Sequence, residues 1–356
     1  MTPIVIPSLE PDDRLLKLIE QLYNAKLDPI VLVDDGSPSG GGYQQYFATA
    51  ENKYNCTVLH HAVNLGKGRA LKSAFNFCVN KWPDLTGCVT ADSDGQHTAE
   101  CIAKCQATLE RNPHALILGV RDFDLENVPW KSRMGNKITC IIAKILCGLK
   151  ISDTQTGLRA IPKDFILQLL SVEGERFEFE TRMLVEAKDK FPIVEIPIKT
   201  IYDSKEHHTT HFNAVKDSIR IYAVFLKLFF RFFLSSISSC AIDLLLFSFF
   251  CELLKWKKLF IPYAATATIM ARIISATYNY TINYVFVFNS RSVHRKAVSR
   301  YIVLAVIQMC CSAALVTAGL HIFCNVAEWI IKIPVDTLLF FLSYIIQREF
   351  VYKSKS

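Results

Sequence analysis

Acidic clusters stand at three points in the first half of the chain, and two of them directly follow apolar runs. Asp34 and Asp35 follow one run, Asp92 and Asp94 follow another, and Asp153 lies in a third cluster, Ser-Asp-Thr-Gln-Thr-Gly. Carboxylates two residues apart can point into one pocket and share a divalent cation. Mg²⁺ and Mn²⁺ take oxygen ligands and bridge to a diphosphate. Asp-x-Asp alone is common in solvated loops. Here the motif follows a predicted apolar strand, and a second Asp pair stands at the end of an earlier strand. Together these two features make the motif a specific signal for a cation site.

A glycine-rich segment, Asn-Leu-Gly-Lys-Gly-Arg over residues 64–69, invites comparison with a phosphate-binding loop. It lacks the G-x-x-x-x-G-K-[ST] spacing of ATP-binding loops and the G-x-G-x-x-G spacing of dinucleotide-binding folds. We therefore do not expect an ATPase or a dinucleotide-dependent dehydrogenase. The segment opens a predicted helix, and a helix N-terminus that carries Lys67 and Arg69 suits a phosphate or an acidic neighbour.

The elements that would position these residues are short apolar runs that alternate with amphipathic stretches. Strands are predicted at residues 4–6, 29–33, 57–60, 87–91 and 115–119, and helices at 12–26, 43–54, 67–80 and 98–111. This alternation predicts βαβ units and a mostly parallel sheet, in which ligands bind beyond the carboxyl ends of the strands. Further helices are predicted near 132–148, 163–171 and 178–190, and an extended run at 193–202.

The second part of the chain is far more apolar than the first. Of the 356 residues, 51% are hydrophobic and 21% are charged, and the mean hydropathy is +0.23, which excludes a disordered polymer. Four apolar runs lie at 232–254, 261–288, 301–325 and 330–347, each near the ~20 residues that cross a bilayer core. We predict a soluble domain over 1–216, a basic amphipathic interfacial helix over 217–231 and a four-span membrane domain over 232–352.

The net charge of +7 is modest, and many of the basic residues flank the apolar runs. Anionic lipid or phosphate is therefore a better partner than nucleic acid. The basic loop at 289–300 and the basic tail predict that both face the cytoplasm, which agrees with an amino-terminal domain that opens in a strand without a signal segment. The lysines at 255, 257 and 258 oppose this orientation. The twelve cysteines stand mostly in apolar surroundings, which predicts free thiols in a reducing compartment.

Taken together, the motifs resemble those of the family 2 (GT-A fold) inverting glycosyltransferases. The resemblance is carried by Asp34-Asp35-Gly-Ser, Asn64-Leu-Gly-Lys-Gly, Asp92-Ser-Asp94-Gly-Gln-His, Asp153-Thr-Gln-Thr-Gly-Leu-Arg159, Arg176-Phe-Glu-Phe-Glu180 and Ser218-Ile-Arg220-Ile-Tyr222. Within that family they are most similar to dolichol-phosphate mannose synthases and bacterial polyprenyl-phosphate glycosyltransferases. The apolar half resembles the GtrA-like membrane family. The fold class implied is an α/β, Rossmann-like catalytic domain with a mostly parallel sheet, followed by an α-helical four-span membrane domain.

The resemblance implies transfer of a sugar from a nucleotide sugar, UDP-linked more often than GDP-linked, to a polyprenyl phosphate of undecaprenyl or dolichyl type. The reaction would occur at the cytoplasmic face of the plasma membrane, for cell-envelope glycans or glycosylation, with Mg²⁺ or Mn²⁺ as cofactor. A homo-oligomer is left open. The lipid phosphate carries about 1.5 to 2 negative charges, so it needs no strong general base. Positioning and neutralisation of phosphate charge would do the catalytic work.

The resemblance also implies roles for individual residues. The residues implied as metal ligands are Asp92, Asp94 and Gln96. Those implied as catalytic are Asp92, Asp94, Arg121 and Arg133. Those implied in donor binding are Pro7, Glu10, Asp34, Asp35, Lys67 and Ser93, and those implied at the acceptor phosphate are Arg133, Asn136 and Lys205.

Two other functions stay open at this point. A family 2 transferase could act on a glycan hydroxyl, although the Q-x-x-R-W motif of processive synthases does not precede the apolar runs. A non-enzymatic transporter or anchor for lipid-linked sugars would have no need of the set Asp92, Asp94 and Gln96. A structural or sugar-contacting place is expected for Glu178 and Glu180.

Several polar residues outside these motifs have simpler interpretations. His207, His208 and His211 are expected to form a mobile loop near the acceptor rather than a metal site. Arg272 lies within an apolar run, where it should face the helix bundle or snorkel, and Asp243 is its natural partner. Asn279 and Asn283, four residues apart on one helix face, are expected to form hydrogen bonds between helices.

Overall fold

The computed structural model describes residues 1–123, 130–199, 215–254, 256, 263–288, 290, 292–323 and 328–353. The chain divides into two compact units, Met1–Val224 and Phe225–Ser356. The predicted site residue Lys205 and the three histidines at 207, 208 and 211 lie outside the described residues.

Strands and helices alternate through the first unit, close to the predicted bounds. The strands are β1 (Ile4–Ser8), β2 (Ile30–Asp34), β3 (Thr57–His60), β4 (Gly87–Thr90), β5 (Leu116–Arg121), β6 (Arg159–Pro162) and β7 (Ile193–Ile198). The helices are α1 (Asp13–Asn24), α2 (Gln44–Tyr54), α3 (Lys67–Lys81), α4 (Ala99–Arg111), α5 (Trp130–Ile142), α6 (Lys163–Leu169) and α7 (Glu178–Ala187).

The strands form one seven-stranded sheet in the order β3-β2-β1-β4-β6-β5-β7. All neighbours are parallel except β6, which runs antiparallel to both β4 and β5. The predicted mostly parallel sheet is therefore confirmed, whereas β6 was missed. It has four residues and begins with Arg159, which is only 1% exposed, so it lacks the apolar run that marks the other central strands.

The core of this unit lies between the sheet and the helices that cover it. All five residues of β1 and all five of β2 are buried, as expected for central parallel strands covered on both faces. Helix α1 presents Leu15, Leu18 and Ile19 to this core. Asp12 caps the helix by accepting a hydrogen bond from the backbone N–H of Arg14 at 2.9 Å, which satisfies one of its unpaired N-terminal amides.

The second unit is helical. The predicted interfacial helix and the first predicted span form a single uninterrupted helix, α8 (Lys216–Leu254). It is followed by α9 (Tyr263–Ile282), α10 (His294–Ile322) and α11 (Glu328–Ile346). Among the described residues, α8 and the part of α10 over His294–Gly319 are long and apolar enough to cross a membrane. The other two predicted runs correspond to α9 and α11, of 20 and 19 residues.

Aromatic rings pack the helices of the second unit together. Phe232 of α8 lies 5.2 Å from both Phe340 and Tyr344 of α11, measured between ring centroids. Tyr280 of α9 lies 5.4 Å from Tyr301 of α10. Such ring pairs add to the stabilisation that comes from buried area. The eleven cysteines that the structure describes are free.

Candidate functional site

A cavity of about 290 Å³ opens beside the carboxyl ends of β1 and β4. The sequence-predicted residues that line it together are Pro7, Glu10, Asp35, Lys67, Asp92, Ser93, Asp94 and Gln96. They meet because the ends of parallel strands share one edge of a sheet. The other predicted residues that the structure describes, Asp34, Arg121, Arg133 and Asn136, are not part of this wall.

A half-buried lysine in the cavity wall joins two carboxylates. Lys67 is the first residue of α3, and its Nζ lies 2.7 Å from Asp92 Oδ1 and 2.8 Å from Glu180 Oε2. The lysine side chain is 17% exposed and that of Glu180 is 12% exposed. His97 approaches the other oxygen of Asp92, with Nε2 3.8 Å from Oδ2. The Asp-x-Asp motif and the glycine-rich segment are thus one charged cluster.

The charges in this cluster shift one another's protonation. Burial opposes the charged form of Lys67, but Asp92 and Glu180 outweigh it and raise the pKa of the lysine. Burial also opposes ionisation of Asp92, yet Lys67 and His97 hold its pKa far below the usual range. Asp94 differs, because burial and the neighbouring charge of Asp92 both raise its pKa. The two carboxylates of the motif are therefore electrostatically unlike.

The donor set of the motif fits a hard divalent cation. Asp92 and Asp94 offer carboxylate oxygens and Gln96 an amide oxygen, which are the ligand types of Mg²⁺ and Mn²⁺. A cation here would also relieve the repulsion that raises the pKa of Asp94. Within the described residues, no group of three or more His, Cys, Asp or Glu side chains is arranged to hold a metal. Such an ion would need oxygens from substrate or water to complete its coordination.

The two aspartates at the end of β2, Asp34 and Asp35, hold the neighbouring loops in place. Asp35 accepts hydrogen bonds from the backbone N–H of Leu65 at 3.1 Å and of Gly66 at 2.8 Å. These bonds fix the glycine-rich segment at Leu65 and Gly66, directly before Lys67. Asp34 is 2% exposed and accepts a hydrogen bond from the backbone N–H of Ser37 at 2.9 Å. Although burial opposes it, this bonding lowers the pKa of Asp34.

Comparison with known proteins identifies both units. The family model for glycosyl transferase family 2 matches residues 4–170, and the model for the GtrA/DPMS transmembrane domain matches residues 231–352. The chain is a family 2 glycosyltransferase domain joined to a GtrA/DPMS transmembrane domain. The predicted family and the predicted fold class are confirmed.

Two relatives of the glycosyltransferase domain have names that refer to dolichyl phosphate or to polyprenol. A UDP-N-acetylglucosamine–dolichyl-phosphate N-acetylglucosaminyltransferase of Methanococcus voltae is 28% identical over 216 residues, which cover 56% of this chain and 85% of that protein. A polyprenol monophosphomannose synthase of Mycolicibacterium smegmatis is 24% identical over 204 residues, which cover 55% of this chain and 76% of that protein.

Solved structures show a weaker similarity. Mannosyl-3-phosphoglycerate synthase from Rubrobacter xylanophilus aligns with a TM-score of 0.46 and 15% identity, over 63% of this chain and 71% of that chain. The identification therefore depends on the family models and on the sheet, not on this alignment.

A second cluster in the glycosyltransferase domain joins the end of β5 to the Asp153 motif. Arg121 meets Asp153 in a two-pronged ion pair, with Nε 2.7 Å from Oδ2 and an Nη nitrogen 3.0 Å from Oδ1. Asp153 is fully buried. Asn136 of α5 donates to the carbonyl of Ser152 at 2.7 Å and accepts from the backbone N–H of Thr154 at 3.2 Å. Arg121 and Asn136 thus hold this motif from both sides.

Strand β6 carries that motif to the cavity. Arg159, its first residue, pairs with Thr90 at the end of β4, and the hydroxyl of Thr90 donates to the carbonyl of Gly157 at 2.8 Å. A Cβ on Gly157 would collide with the carboxylate of Asp92. The glycine is therefore required by close approach of the backbone to the Asp-x-Asp motif.

Sequence reasoning did not assign a role to His97 or Arg159, and it expected a structural or sugar-contacting place for Glu180. All three are at most 9% exposed. The guanidinium of Arg159 donates to the backbone carbonyl of Glu180 at 2.6 Å. All three residues belong to the motifs that carry the family resemblance. The spacing of those motifs does not reveal that Lys67 bridges Asp92 and Glu180, which are 88 positions apart in the numbering.

The transmembrane domain contains both predicted polar contacts. Arg272 Nη2 lies 3.3 Å from Asp243 Oδ2. The side-chain amide of Asn283 donates to Asn279 at 3.0 Å and to Gln347 at 3.1 Å. The expectations that Asp243 partners Arg272 and that the asparagines bond between helices are confirmed.

Proposed function

We propose that the protein transfers a sugar from a nucleotide sugar to the phosphate of a polyprenyl lipid, of undecaprenyl or dolichyl type, with inversion at the anomeric carbon. The observation that carries the proposal is the cavity in which Asp92, Asp94 and Lys67 meet at the carboxyl edge of the sheet. The named activities of the two relatives support the lipid phosphate acceptor. The transmembrane domain supports an acceptor that resides in a membrane.

The donor diphosphate is proposed to lie against Lys67 and the Asp-x-Asp motif. Lys67 keeps its positive charge at every physiological pH, because the two carboxylates beside it raise its pKa. Asp92, Asp94 and Gln96 would hold Mg²⁺ or Mn²⁺. When bound, that ion would neutralise charge on the leaving diphosphate. We propose that the transfer depends on this ion.

The nucleoside part of the donor is proposed to occupy the rest of the cavity. Pro7 and Glu10 line it at the end of β1, and Ser93 lines it between the two aspartates. Asp35 lines the cavity itself, and it also holds the glycine-rich segment by accepting a hydrogen bond from the backbone N–H of Gly66. We assign Asp34 to the same loop system, since its carboxylate bonds to Ser37 and lies 3.0 Å from His60 Nδ1.

The acceptor phosphate is proposed to be bound by Arg133 and Lys205, with Asn136 acting through the Asp153 motif that it holds. One phosphate oxygen attacks the anomeric carbon as the bond from that carbon to the diphosphate oxygen breaks, so the nucleoside diphosphate leaves. No proton must be removed from an ionised phosphate. The protein's task is to align the two groups and neutralise their charge. Arg121 is anchored for such a task by its ion pair with Asp153.

The protein is proposed to be a multi-pass protein of the plasma membrane with its glycosyltransferase domain in the cytoplasm. The match to a transmembrane family and the two long apolar helices support a membrane location. The basic residues of the loop at 289–300 support the orientation, because cytoplasmic loops carry an excess of Lys and Arg.

The test uses the full chain in detergent with Mn²⁺ or Mg²⁺, undecaprenyl phosphate and a panel of radiolabelled nucleotide sugars. We expect label from one donor to enter the organic phase, and Asp94→Asn to abolish the transfer. Asp164→Asn is the matched control, because that carboxylate is exposed and remote in sequence from the motif. Donor hydrolysis without labelled lipid would contradict the lipid acceptor and point to a glycan or protein hydroxyl.

A further inference from the structure

His61 links two parts of the glycosyltransferase domain through both nitrogens of its ring. Nδ1 lies 2.8 Å from Asp35 Oδ1, and Nε2 lies 2.9 Å from the hydroxyl oxygen of Ser73 in α3. The backbone N–H of His61 also donates to the carbonyl of Asp34 at 2.9 Å, which extends the pairing of β3 with β2. The ring therefore has a fixed place between the end of the sheet and α3.

The chemistry of these partners sets the direction of the hydrogen bonds. An ionised carboxylate only accepts, so Nδ1 donates to Asp35. In the neutral ring Nε2 is then the acceptor, and the hydroxyl of Ser73 donates to it. The side chains of His61 and Asp35 are 9% and 6% exposed, so water competes little for these bonds and a partner left without its bond would be costly.

Asp35 passes this restraint to the glycine-rich segment. Its Oδ1 atom accepts from His61 and from the backbone N–H of Leu65, and its Oδ2 atom accepts from the backbone N–H of Gly66. A carboxylate offers about four acceptor positions, and these bonds occupy most of them. Without the bond from His61, the carboxylate would be held only by the segment that it restrains.

The glycine-rich segment is enclosed on two sides. A Cβ on Gly36 would collide with the backbone of Val63, and a Cβ on Gly66, whose φ is +102°, would collide with the backbone oxygen of Glu175. Closely packed groups transmit a displacement to their neighbours. A change in the position of Asp35 is therefore passed on to Lys67, the residue that directly follows Gly66, rather than absorbed by the loop.

The order of Ser73, His61 and Asp35 is that of a hydrolase triad, but their place in the fold gives them another task. Asp35 lines the cavity of about 290 Å³, whereas His61 and Ser73 are not part of its wall. A nucleophilic serine must reach the carbonyl of a substrate. The three residues therefore act through Asp35 and the loop that it holds, and not by attack on a substrate in this cavity.

We propose that His61 is a positioning residue for the sugar transfer: it holds Asp35, and through Asp35 it sets the position of Lys67 against the donor diphosphate. Ser73 orients the ring from its other nitrogen. This inference rests on the proposed function, because Lys67 has that task only if a nucleotide sugar occupies the cavity.

The test compares His61→Asn with His61→Gln in the full chain. The asparagine amide can place a donor nitrogen where Nδ1 lies, whereas the glutamine amide reaches the position of Nε2. We expect His61→Leu and His61→Gln to lower kcat about 30-fold with the KM for undecaprenyl phosphate unchanged, and His61→Asn to retain at least about one third of the wild-type kcat. His114→Leu is the matched control, because that exposed histidine pairs with Asp164 outside the cavity wall.

Hydrogen exchange gives a second readout that needs no activity. The amides of Leu65 and Gly66 donate to Asp35, so they should exchange about tenfold faster in His61→Leu and His61→Gln, and near the wild-type rate in His61→Asn and His114→Leu. Equal kcat of the asparagine and glutamine variants, or exchange that His61→Gln leaves unaltered, would overturn the proposal. If His61→Leu does not fold, the comparison of asparagine with glutamine decides the question alone.

The two measurements separate this inference from the proposed sugar transfer. Absence of transfer by the wild-type protein from every donor, together with faster exchange in His61→Gln, would refute the transferase assignment and leave only the structural link between His61 and the glycine-rich segment. Transfer by the wild-type protein that His61→Gln leaves unchanged would refute the positioning role alone.

Discussion

Lys67 Nζ lies 2.7 Å from Asp92 Oδ1, so the first residue of α3 neutralises the first carboxylate of the Asp-x-Asp motif. Two sequence motifs that are separated by a helix and a strand therefore act as one electrostatic unit. Glu180 completes it at 2.8 Å from the same nitrogen. The net charge of this part of the cavity is set by the lysine as much as by the aspartates.

Lys67→Met is expected to lower kcat/KM for sugar transfer about 100-fold, because an oriented positive charge at a diphosphate stabilises the leaving group. The same change leaves Asp92 without its counter-ion, so Mn²⁺ should bind at least about tenfold more tightly, as measured by electron paramagnetic resonance.

The matched control for this prediction is Lys81→Met, in the exposed last turn of the same helix. It should leave both quantities unchanged. Unaltered transfer by the Lys67 variant, or weaker Mn²⁺ binding, would show that the lysine does not share Asp92 with a cation.

Asp94→Asn is expected to raise the melting temperature at pH 7 by about 1–3 °C while abolishing transfer. Burial and the charge of Asp92 raise the pKa of Asp94, so the folded protein is destabilised when this carboxylate is ionised. The penalty is present above its folded pKa and vanishes where the group is protonated in both states.

The gain in stability should therefore shrink as pH falls toward the ordinary pKa of an aspartate, as followed by scanning fluorimetry across pH. Asp164→Asn serves as the control, since its carboxylate is 63% exposed. A gain that grows as pH falls would contradict the assigned direction.

Gly157→Ala is expected to reduce transfer about tenfold to 100-fold without preventing folding. The added methyl would collide with the Asp92 carboxylate, and small displacements of a catalytic group are costly to rate. Gly135→Ala is a fitting control, because a Cβ there meets nothing within 4 Å and alanine favours helices. Equal activity of the two variants would show that the Asp92 carboxylate can move aside freely.

Asp243→Asn and Arg272→Gln should each lower the melting temperature of the protein in nanodiscs, because each leaves the other charge unpaired within the apolar unit. The double variant should recover much of the loss, with a coupling energy of about 1–2 kcal/mol in a double-mutant cycle. Arg295→Gln, an exposed charge at the start of α10, provides the comparison. Additive losses in the double variant would mean that the ion pair contributes nothing.

Much of the glycosyltransferase fold can be predicted from the sequence because its strands are continuous apolar runs. Residues 30–34 are Ile-Val-Leu-Val-Asp and are all buried in the sheet, and such runs between amphipathic helices have few other interpretations. Strand β6 has no such run, since its first residue is a buried arginine held by backbone carbonyls. Its pairing with β4 depends on contacts that are distant in sequence.

The sequence predicts which residues belong to the candidate site better than it predicts which hydrogen bonds they form. Asp92 and Asp94 share a cavity as expected, because strand ends converge whatever the details of the side chains. The carboxylate of Asp34, in contrast, bonds to Ser37 and His60. The hydrogen-bond partner of a carboxylate is decided by small differences in distance between the candidate groups. The spacing of residues in the sequence does not encode those differences.

The antiparallel direction of β6 has a consequence for how such an enzyme can change its acceptor. The chain leaves the sheet at Arg121, the last residue of β5, and re-enters it at Arg159, the first residue of β6, which lies on the same edge. Among the described residues between these two points, 122–123 and 130–158, no strand is present. A change of length or composition there need not alter the register of β1 and β4, whose carboxyl ends lie beside the cavity. Because we propose that the acceptor phosphate binds in this stretch, we expect acceptor choice and donor chemistry to evolve as separable traits within a single domain.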